Sequence, residues 1–429
     1  MQNLGQVIKL ERLKRNMKQI TLAQGICTPS YLSKIENNSI MPSQEVMDLL
    51  LERLELTIAQ HTNGDDQSYL DEVNKIYFEA VMNKDRAFIQ EKLQELNEEQ
   101  YLFHEVSNYY THQLILLRMS LILPDTKANK FNPTTPLVDL VTDFTDYQSF
   151  LYYVNAGIFY SQQNNHADSL EAFEKAIEYH NLINLEPWEE ADFNYLLAEC
   201  YLAHQRWVIS VEYIQHALEF FKNGFYNSRV VECYLILSIA LDKSHKTDEA
   251  YDNLILAQKI STQMNLHDQI PVIKQGLGTL LSTKGELEEA IQLFKESLEI
   301  RSEQSQKLQP IFSLIKEYSK LGQSEEVIKW ASEGLNILKS ESSSSLENYH
   351  HHFTVYKLRS EQASNYESKT VKAIQFFKDV KDYRHAQKYS LFLAEYFTEN
   401  TKYKNAAKYY ALSNDYLFLK QDITFWEDL

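Results

Sequence analysis

Residues 19–43 read QITLAQGICTPSYLSKIENNSIMPS, and their order decides the fold at the front of the chain. Gln19 to Gln24 is a short amphipathic piece in which Ile20, Leu22 and Ala23 are apolar. Gly25 suits a tight turn, because a residue without Cβ enters left-handed backbone conformations at little cost. Thr28 has the side chain of an N-cap, and Pro29 fits the first helical position, where a missing N–H does no harm. Leu32 and Ile35, three apart, share a core-facing stripe. Ser30, Ser33, Lys34 and Asn37 are left pointing outward. Two short helices about a glycine turn, the second with a polar outer face, predict a helix-turn-helix whose second helix enters a DNA major groove.

The charge distribution agrees. Residues 1–35 hold Lys9, Arg12, Lys14, Arg15, Lys18 and Lys34 against Glu11 alone, a net of +5. The whole chain stands at −18, so the remaining residues carry −23. A small basic head on a large acidic body confines phosphate attraction to the head. A few lysines on a solvated helix would give the same count, and it is the order of residues 19–43 that favours DNA.

At 429 residues the chain exceeds one ordinary domain. Ten glycines and eight prolines are few for that length, which argues for long helices and short turns rather than strands. Three cysteines, Cys27, Cys200 and Cys233, have no metal or redox spacing and fit a reducing compartment. The opening MQNLGQVIKL has no signal-peptide core. The most apolar run, Leu114 to Leu123, is short and interrupted by Arg118, so no membrane span is expected and the protein should be cytoplasmic.

A signature recurs after residue 140. It is a small residue, an aromatic or Leu three later, a small residue nine further on, an apolar one four later and a small one three beyond. Gly157, Tyr160, Ser169, Phe173 and Ala176 carry it. Ala198, Tyr201, Ser210, Ile214 and Ala217 repeat it, as do Ser238, Leu241, Ala250, Leu254 and Ala257. Gly278, Leu281, Ala290, Phe294 and Ser297 follow. Ile315, Tyr318, Val327, Ala331 and Gly334 are a weaker copy, and Ala394, Phe397, Ala406, Tyr410 and Ser413 a good one. A degenerate copy falls around residues 350–380. Copies lie about 40 residues apart, slightly longer than the roughly 34 of an ideal tetratricopeptide repeat. Small residues mark where two antiparallel helices cross closely, and the aromatic fills the gap beside them. One such pair cannot bury its faces alone, so stacking into a superhelix with a concave surface is expected.

The expected fold is therefore all-α, with a helix-turn-helix domain at 1–60, a linker at 61–68 and a tetratricopeptide body at 69–429. Tyr69 to Leu96 and Gln100 to Leu123 read as one further helix pair, Pro124 to Pro136 as a loop, and Ser340 to Ser345 as a polar break.

A helix-turn-helix head on a tetratricopeptide body resembles the RNPP family of peptide quorum-sensing receptors, which includes Rap, NprR, PlcR and PrgX. Ile26-Cys27, Ser30, Ser33, Ile35-Glu36 and Pro42-Ser43 carry the match in the head. The long body and the opening MQNLGQVIKLERLKRN resemble the NprR branch. The resemblance covers essentially the whole chain. It implies a cytoplasmic transcription regulator that binds a re-imported signalling peptide in the concave groove. Peptide would switch oligomeric state and DNA binding at extracellular-protease and late-growth genes. It also implies two alternatives: a Rap-like inhibitor that holds a sporulation-phosphorelay response regulator when peptide is absent, or a phage-type peptide receptor. An operator with paired half-sites requires at least a homodimer, and a tetramer with peptide is the further expectation. No cofactor is implied.

Site residues follow by position. In the phage-repressor type of this motif, Gln19 would contact backbone phosphate. Pro29, Ser30 and Lys34 would face base edges, with Thr28, Tyr31 and Asn37 near phosphates. Pro29 cannot hydrogen-bond through its side chain, so readout would lean on Ser30 and Lys34. In the body, inward positions read from the repeat register include Asn155, Ile158, Asn194, Tyr195, Glu199, Ile239, Gln275, Thr279, Lys316 and Glu395. A linear peptide needs side-chain amides for its backbone and a cation for a carboxylate. Asn155, Asn194, Tyr195, Gln275 and Lys316 are the peptide-binding candidates, with Arg118, a lone cation in LILLRMSLIL. The competing readings are an internal salt bridge for Arg118 and interhelical hydrogen bonds for the asparagines. His350-His351-His352 after a serine-rich break reads as solvated surface, not a metal site. Gly276-Leu277-Gly278 lacks the strand and third glycine of a nucleotide loop. No nucleophile–base pair or metalloprotease motif is present, so an enzyme is not expected.

Overall fold

The computed structural model describes residues 4–55, 66–98, 101, 103, 105–123, 138–340 and 346–421. The described residues are helical, joined by turns and one 3-10 segment at Val138–Asp143, with no strand among them. The head comprises α1 (Leu4–Lys14), α2 (Gln19–Ala23), α3 (Pro29–Glu36) and α4 (Gln44–Arg53). Ile8, Leu22, Ala23, Leu32, Ile35, Met47, Leu50, Leu51 and Leu54 form its core. Ile20 lies outside that core, exposed on α2.

Next come α5 (Asp66–Asn83), α6 (Arg86–Glu98) and α7 (Val106–Ile122). These are three helices, not the expected pair. Lys84 takes a left-handed φ of 50°. The Asp85 carboxylate then accepts from the N–H groups of Ala87 at 2.9 Å and Phe88 at 3.2 Å and starts a new helix. α5 begins at Asp66, inside the stretch read as linker, because the Asp66 carboxylate is held by the Glu105 N–H at 3.1 Å and the Asn108 amide at 3.2 Å. The rest of that linker (61–65), the proline-rich loop (124–136) and most of the serine-rich break lie outside the described residues.

Seven helical hairpins follow: α8 (Asp146–Gln162) with α9 (His166–His180), α10 (Pro187–Ala203) with α11 (Trp207–Asn223), and α12 (Asn227–Lys243) with α13 (Thr247–Gln263); then α14 (Ile270–Lys284) with α15 (Leu287–Ile300), α16 (Gln304–Lys320) with α17 (Ser324–Ser340), α18 (Glu347–Ser360) with α19 (Tyr366–Asp379), and α20 (Tyr383–Glu399) with α21 (Tyr403–Gln421). The chain divides into two compact units, 1–260 and 261–429.

Recurring small residues sit at crossings within the α8–α9, α10–α11 and α14–α15 hairpins, whereas Gly334 of α17 meets the Phe353 ring of α18 in the next hairpin. A Cβ on Gly157 would lie 2.8 Å from the Phe173 ring, and one on Gly278 2.7 Å from that of Phe294. Ser169 and Ser210 donate across their crossings to the carbonyls of Gly157 (2.9 Å) and Ala198 (2.8 Å). Each hairpin turns through one left-handed residue: Asn164, Gln205, His245, Gly285, Gly322, Gln362 and Thr401. In the last copy the apolar position fails, and Tyr410 is exposed. His352 is buried, not solvated. It stacks between Phe312 at 4.3 Å and Phe377 at 4.8 Å and hydrogen-bonds to the Tyr389 hydroxyl.

Candidate nucleic-acid and peptide-binding sites

In the head, Gly25 takes a φ of 76° with open space around it, which makes the turn. The Thr28 hydroxyl accepts from the Tyr31 N–H at 3.2 Å, and Pro29 occupies the first helical position of α3. Leu32 and Ile35 are buried. Thr28, Pro29, Ser30, Lys34 and Asn37 are exposed, Tyr31 and Ser33 half-buried. Asn37 caps the helix, its N–H bonded to the Ser33 carbonyl at 3.1 Å. α3 thus presents Ser30 and Lys34, one helical turn apart, on its open side.

One buried feature escaped the sequence reading. Arg12 of α1 forms a two-pronged ion pair with Glu36 at the end of α3, 2.6 and 3.0 Å. The Gln19 amide donates to the same carboxylate at 2.7 Å. This fork fixes α3 against the start of α2. It also means that Arg12 is internal, while Glu11 pairs with Lys14 and Arg15 at 2.8 Å each. Part of the head's positive charge is therefore spent within the head.

The head rests on α7. The Tyr110 hydroxyl donates to the Gln6 side chain at 2.9 Å, Gln6 donates to Asp143 at 2.9 Å, and the Tyr109 hydroxyl bonds Glu11. Burial first, and then the Glu11 charge, keep Tyr109 protonated far above neutrality. The same helix carries Arg118 further along. Arg118 is buried and paired with Asp192 at 2.7 Å; Arg229 takes the other oxygen of Asp192 at 2.9 Å. Burial alone would raise the Asp192 carboxyl, but Arg118, Arg229 and Lys84 outweigh it and hold it below the usual carboxylate range. The Arg118 Nε has no hydrogen-bond partner among the described residues.

A cavity of 570 Å³ opens beside this cluster, lined by Lys84, Arg118, Ile158, Tyr195, Glu199 and Ile239 among others. The Tyr195 hydroxyl donates to Glu199 at 3.0 Å, and its ring lies under Lys84 (4.7 Å) and Arg229 (4.3 Å). Cations, a carboxylate and apolar walls together can hold a chain with charged ends and apolar side chains.

Of the sequence candidates in this unit, Arg118 and Tyr195 meet in the cavity. Asn155 does not line it; it is buried and donates to the Leu114 carbonyl at 2.9 Å. Asn194 reaches Glu190 at 3.4 Å. In the C-terminal unit, Gln275 donates to the Ser313 hydroxyl at 2.9 Å, and Lys316 lies over the Phe312 ring at 5.3 Å. Lys84 and Arg229 were missed because neither falls on the repeat signature. No helix among the described residues is long and apolar enough to cross a membrane.

Residues 8–60 match a helix-turn-helix family model, and residues 274–303, α14 and α15, a tetratricopeptide-repeat model. The transcriptional activator NprA of Geobacillus stearothermophilus is 33% identical over 413 residues, which span 94% of this chain and 100% of NprA. Among solved structures, a Rap protein complexed with competence and sporulation factor superposes with a TM-score of 0.66 at 19% identity, over 84% of this chain and 99% of that one. NprR in complex with its cognate peptide NprX gives 0.63 at 17% identity, over 82% and 100%. At those identities the two structures speak for the fold. The NprA match sets the chain among transcription regulators rather than enzymes. The chain belongs to the RNPP family of peptide quorum-sensing receptors, in the NprR-like form that carries a helix-turn-helix head.

Proposed function

We propose that this chain is a cytoplasmic, peptide-responsive transcription regulator. A short signalling peptide occupies the cavity beside Arg118, and α3 reads an operator through Ser30 and Lys34. Gln19, Thr28, Tyr31 and Asn37 engage phosphates, and Pro29 gives apolar contact. Paired half-sites make the DNA-binding form a dimer, and peptide shifts the balance of oligomers. The observation that carries the reading is the double duty of α7: it bears Tyr109 and Tyr110, which hold the head, and Arg118, which lines the cavity. A ligand that draws on Arg118 competes with Asp192 for the guanidinium and biases the seat of the head.

The direct test is isothermal titration of the full chain with short synthetic peptides taken from whatever small open reading frames flank its gene. Saturable binding that weakens at least tenfold in Arg118→Met supports the assignment. A peptide bound equally well by that variant moves the site elsewhere.

A further inference from the structure

The C-terminal unit contains a second cavity, of 480 Å³, whose chemistry differs from the first. Lys316 and Lys320 of α16, Arg359 of α18 and Lys388 of α20 all line it. Ser319, Ser324 and Ser360 line it with them, and no Asp or Glu belongs to the lining. In a chain with a net charge of −18, four cations around one hollow mark a local reversal of sign.

Lys320 and Arg359 are paired with carboxylates outside the cavity lining, Glu317 at 2.8 Å and Glu395 at 2.7 Å respectively. Lys388 has no carboxylate partner among the described residues. It lies over the rings of Tyr356 at 5.0 Å, Phe392 at 5.7 Å and Phe312 at 5.9 Å. Burial, then Lys316, Arg384, Lys320 and Arg359, push its ammonium down to about 8. Such crowding of like charge raises the free energy of the empty site and is relieved by a bound anion.

We propose that this cavity binds a phosphoryl group. The lining offers ammonium, guanidinium and hydroxyl donors on several sides and no carboxylate. That set suits a group with three acceptor oxygens and a charge of about −1.5 to −2 better than a carboxylate with two oxygens and one charge. Arg359 supplies the planar fork, the lysines point charges, and the serines neutral donors that fill the remaining lone pairs. The Tyr356 and Phe392 walls accept a planar ring beside the anion, so a nucleotide and an inorganic phosphate share the chemistry. The site stands in a different unit from the Arg118 cavity, and its test needs no signalling peptide.

The test is calorimetric titration of the full chain with inorganic pyrophosphate, ADP and citrate. Saturable binding of pyrophosphate or ADP, weakened at least tenfold in Lys388→Met and in Lys320→Met but not in Lys408→Met on exposed α21, is the expected result. ADP bound more tightly than pyrophosphate identifies a nucleotide as the source; equal binding identifies the inorganic anion. Lys320→Met alters an exposed side chain but takes the partner from buried Glu317, so the thermal midpoints of Lys320→Met and Lys388→Met are both read beside their binding. No saturation with either phosphoryl probe, unchanged binding in both lining variants, or citrate bound as tightly as pyrophosphate overturns the proposal.

Discussion

Lys34 and Arg118 are both cations, and their surroundings give them opposite tasks. Lys34 is exposed on α3 with no ion pair among the described residues, so its charge is available to DNA. Lys34→Ala should weaken operator binding about tenfold in a gel shift while the helical circular dichroism is unchanged. Equal affinity at low and moderate salt would remove Lys34 from the interface. Arg118 is held by Asp192 inside the protein. Arg118→Met takes one of two guanidinium partners from buried Asp192, leaving Arg229 on the other oxygen, and should lower stability by about 2 kcal/mol at neutral pH. Because the folded state depresses Asp192, that contribution is complete above the ordinary aspartate value of about 4 and is lost as pH falls below it. The gap between the urea midpoints of wild type and variant should therefore narrow in acid; a gap independent of pH would mean that the ion pair is not its source. The sequence marked Arg118, because a lone cation in an apolar helix must find company. It could not name the company, since Asp192 is 74 residues away. The Arg12–Glu36 fork was hidden in the same way, its partners 24 residues apart and each ordinary in its own helix. His352 was misread for a related reason: a histidine run beside serines is polar locally, and only the packing of α18 against the rings of Phe312 and Phe377 buries it.

At the scale of elements, the chain's spacing was informative wherever geometry forces a residue type. Small residues at hairpin crossings are required by rings such as Phe173, so the repeat could be read directly. The turns were only partly legible. Gly285 and Gly322 announce a left-handed turn, but Gln205, His245 and Thr401 adopt the same conformation without glycine. Thr401 is β-branched, exposed and at a φ of 57°, a costly combination. Thr401→Gly should raise stability by about 1 kcal/mol, the relief of strain exceeding the extra unfolded-chain entropy. A lower urea midpoint in that variant would show that the threonine is not strained. Gly5 presents the reverse case. A Cβ there would lie 1.9 Å from the Ile35 carbonyl oxygen, and backbone cannot give way as a side chain can. Gly5→Ala should pry α1 from α3 and abolish DNA binding while leaving α8 to α13 folded. Hydrogen exchange would show loss of protection confined to residues 4–55; a fully protected head would refute the packing.

At the scale of the molecule, sequence composition separated a basic head from an acidic body but gave no hint of how one is held against the other. The contact is made by Tyr109 and Tyr110, neighbours in α7, together with Asp143, and nothing in the spacing of the two tyrosines distinguishes them from core. Tyr109→Phe removes the bond to Glu11 and keeps the ring. It should leave peptide affinity within about twofold of wild type and reduce the effect of peptide on DNA affinity, because one of the ties between the head and the helix that senses the ligand is lost while the Tyr110–Gln6 bond remains. Unaltered coupling in Tyr109→Phe would mean that signal passes by another route. The most direct measurement for the account as a whole is the affinity of the full chain for a labelled fragment of its own promoter region, taken by fluorescence anisotropy with and without saturating peptide. The account predicts a shift of about fivefold or more, abolished in Arg118→Met. Identical affinities in the presence of a peptide that demonstrably binds would contradict it.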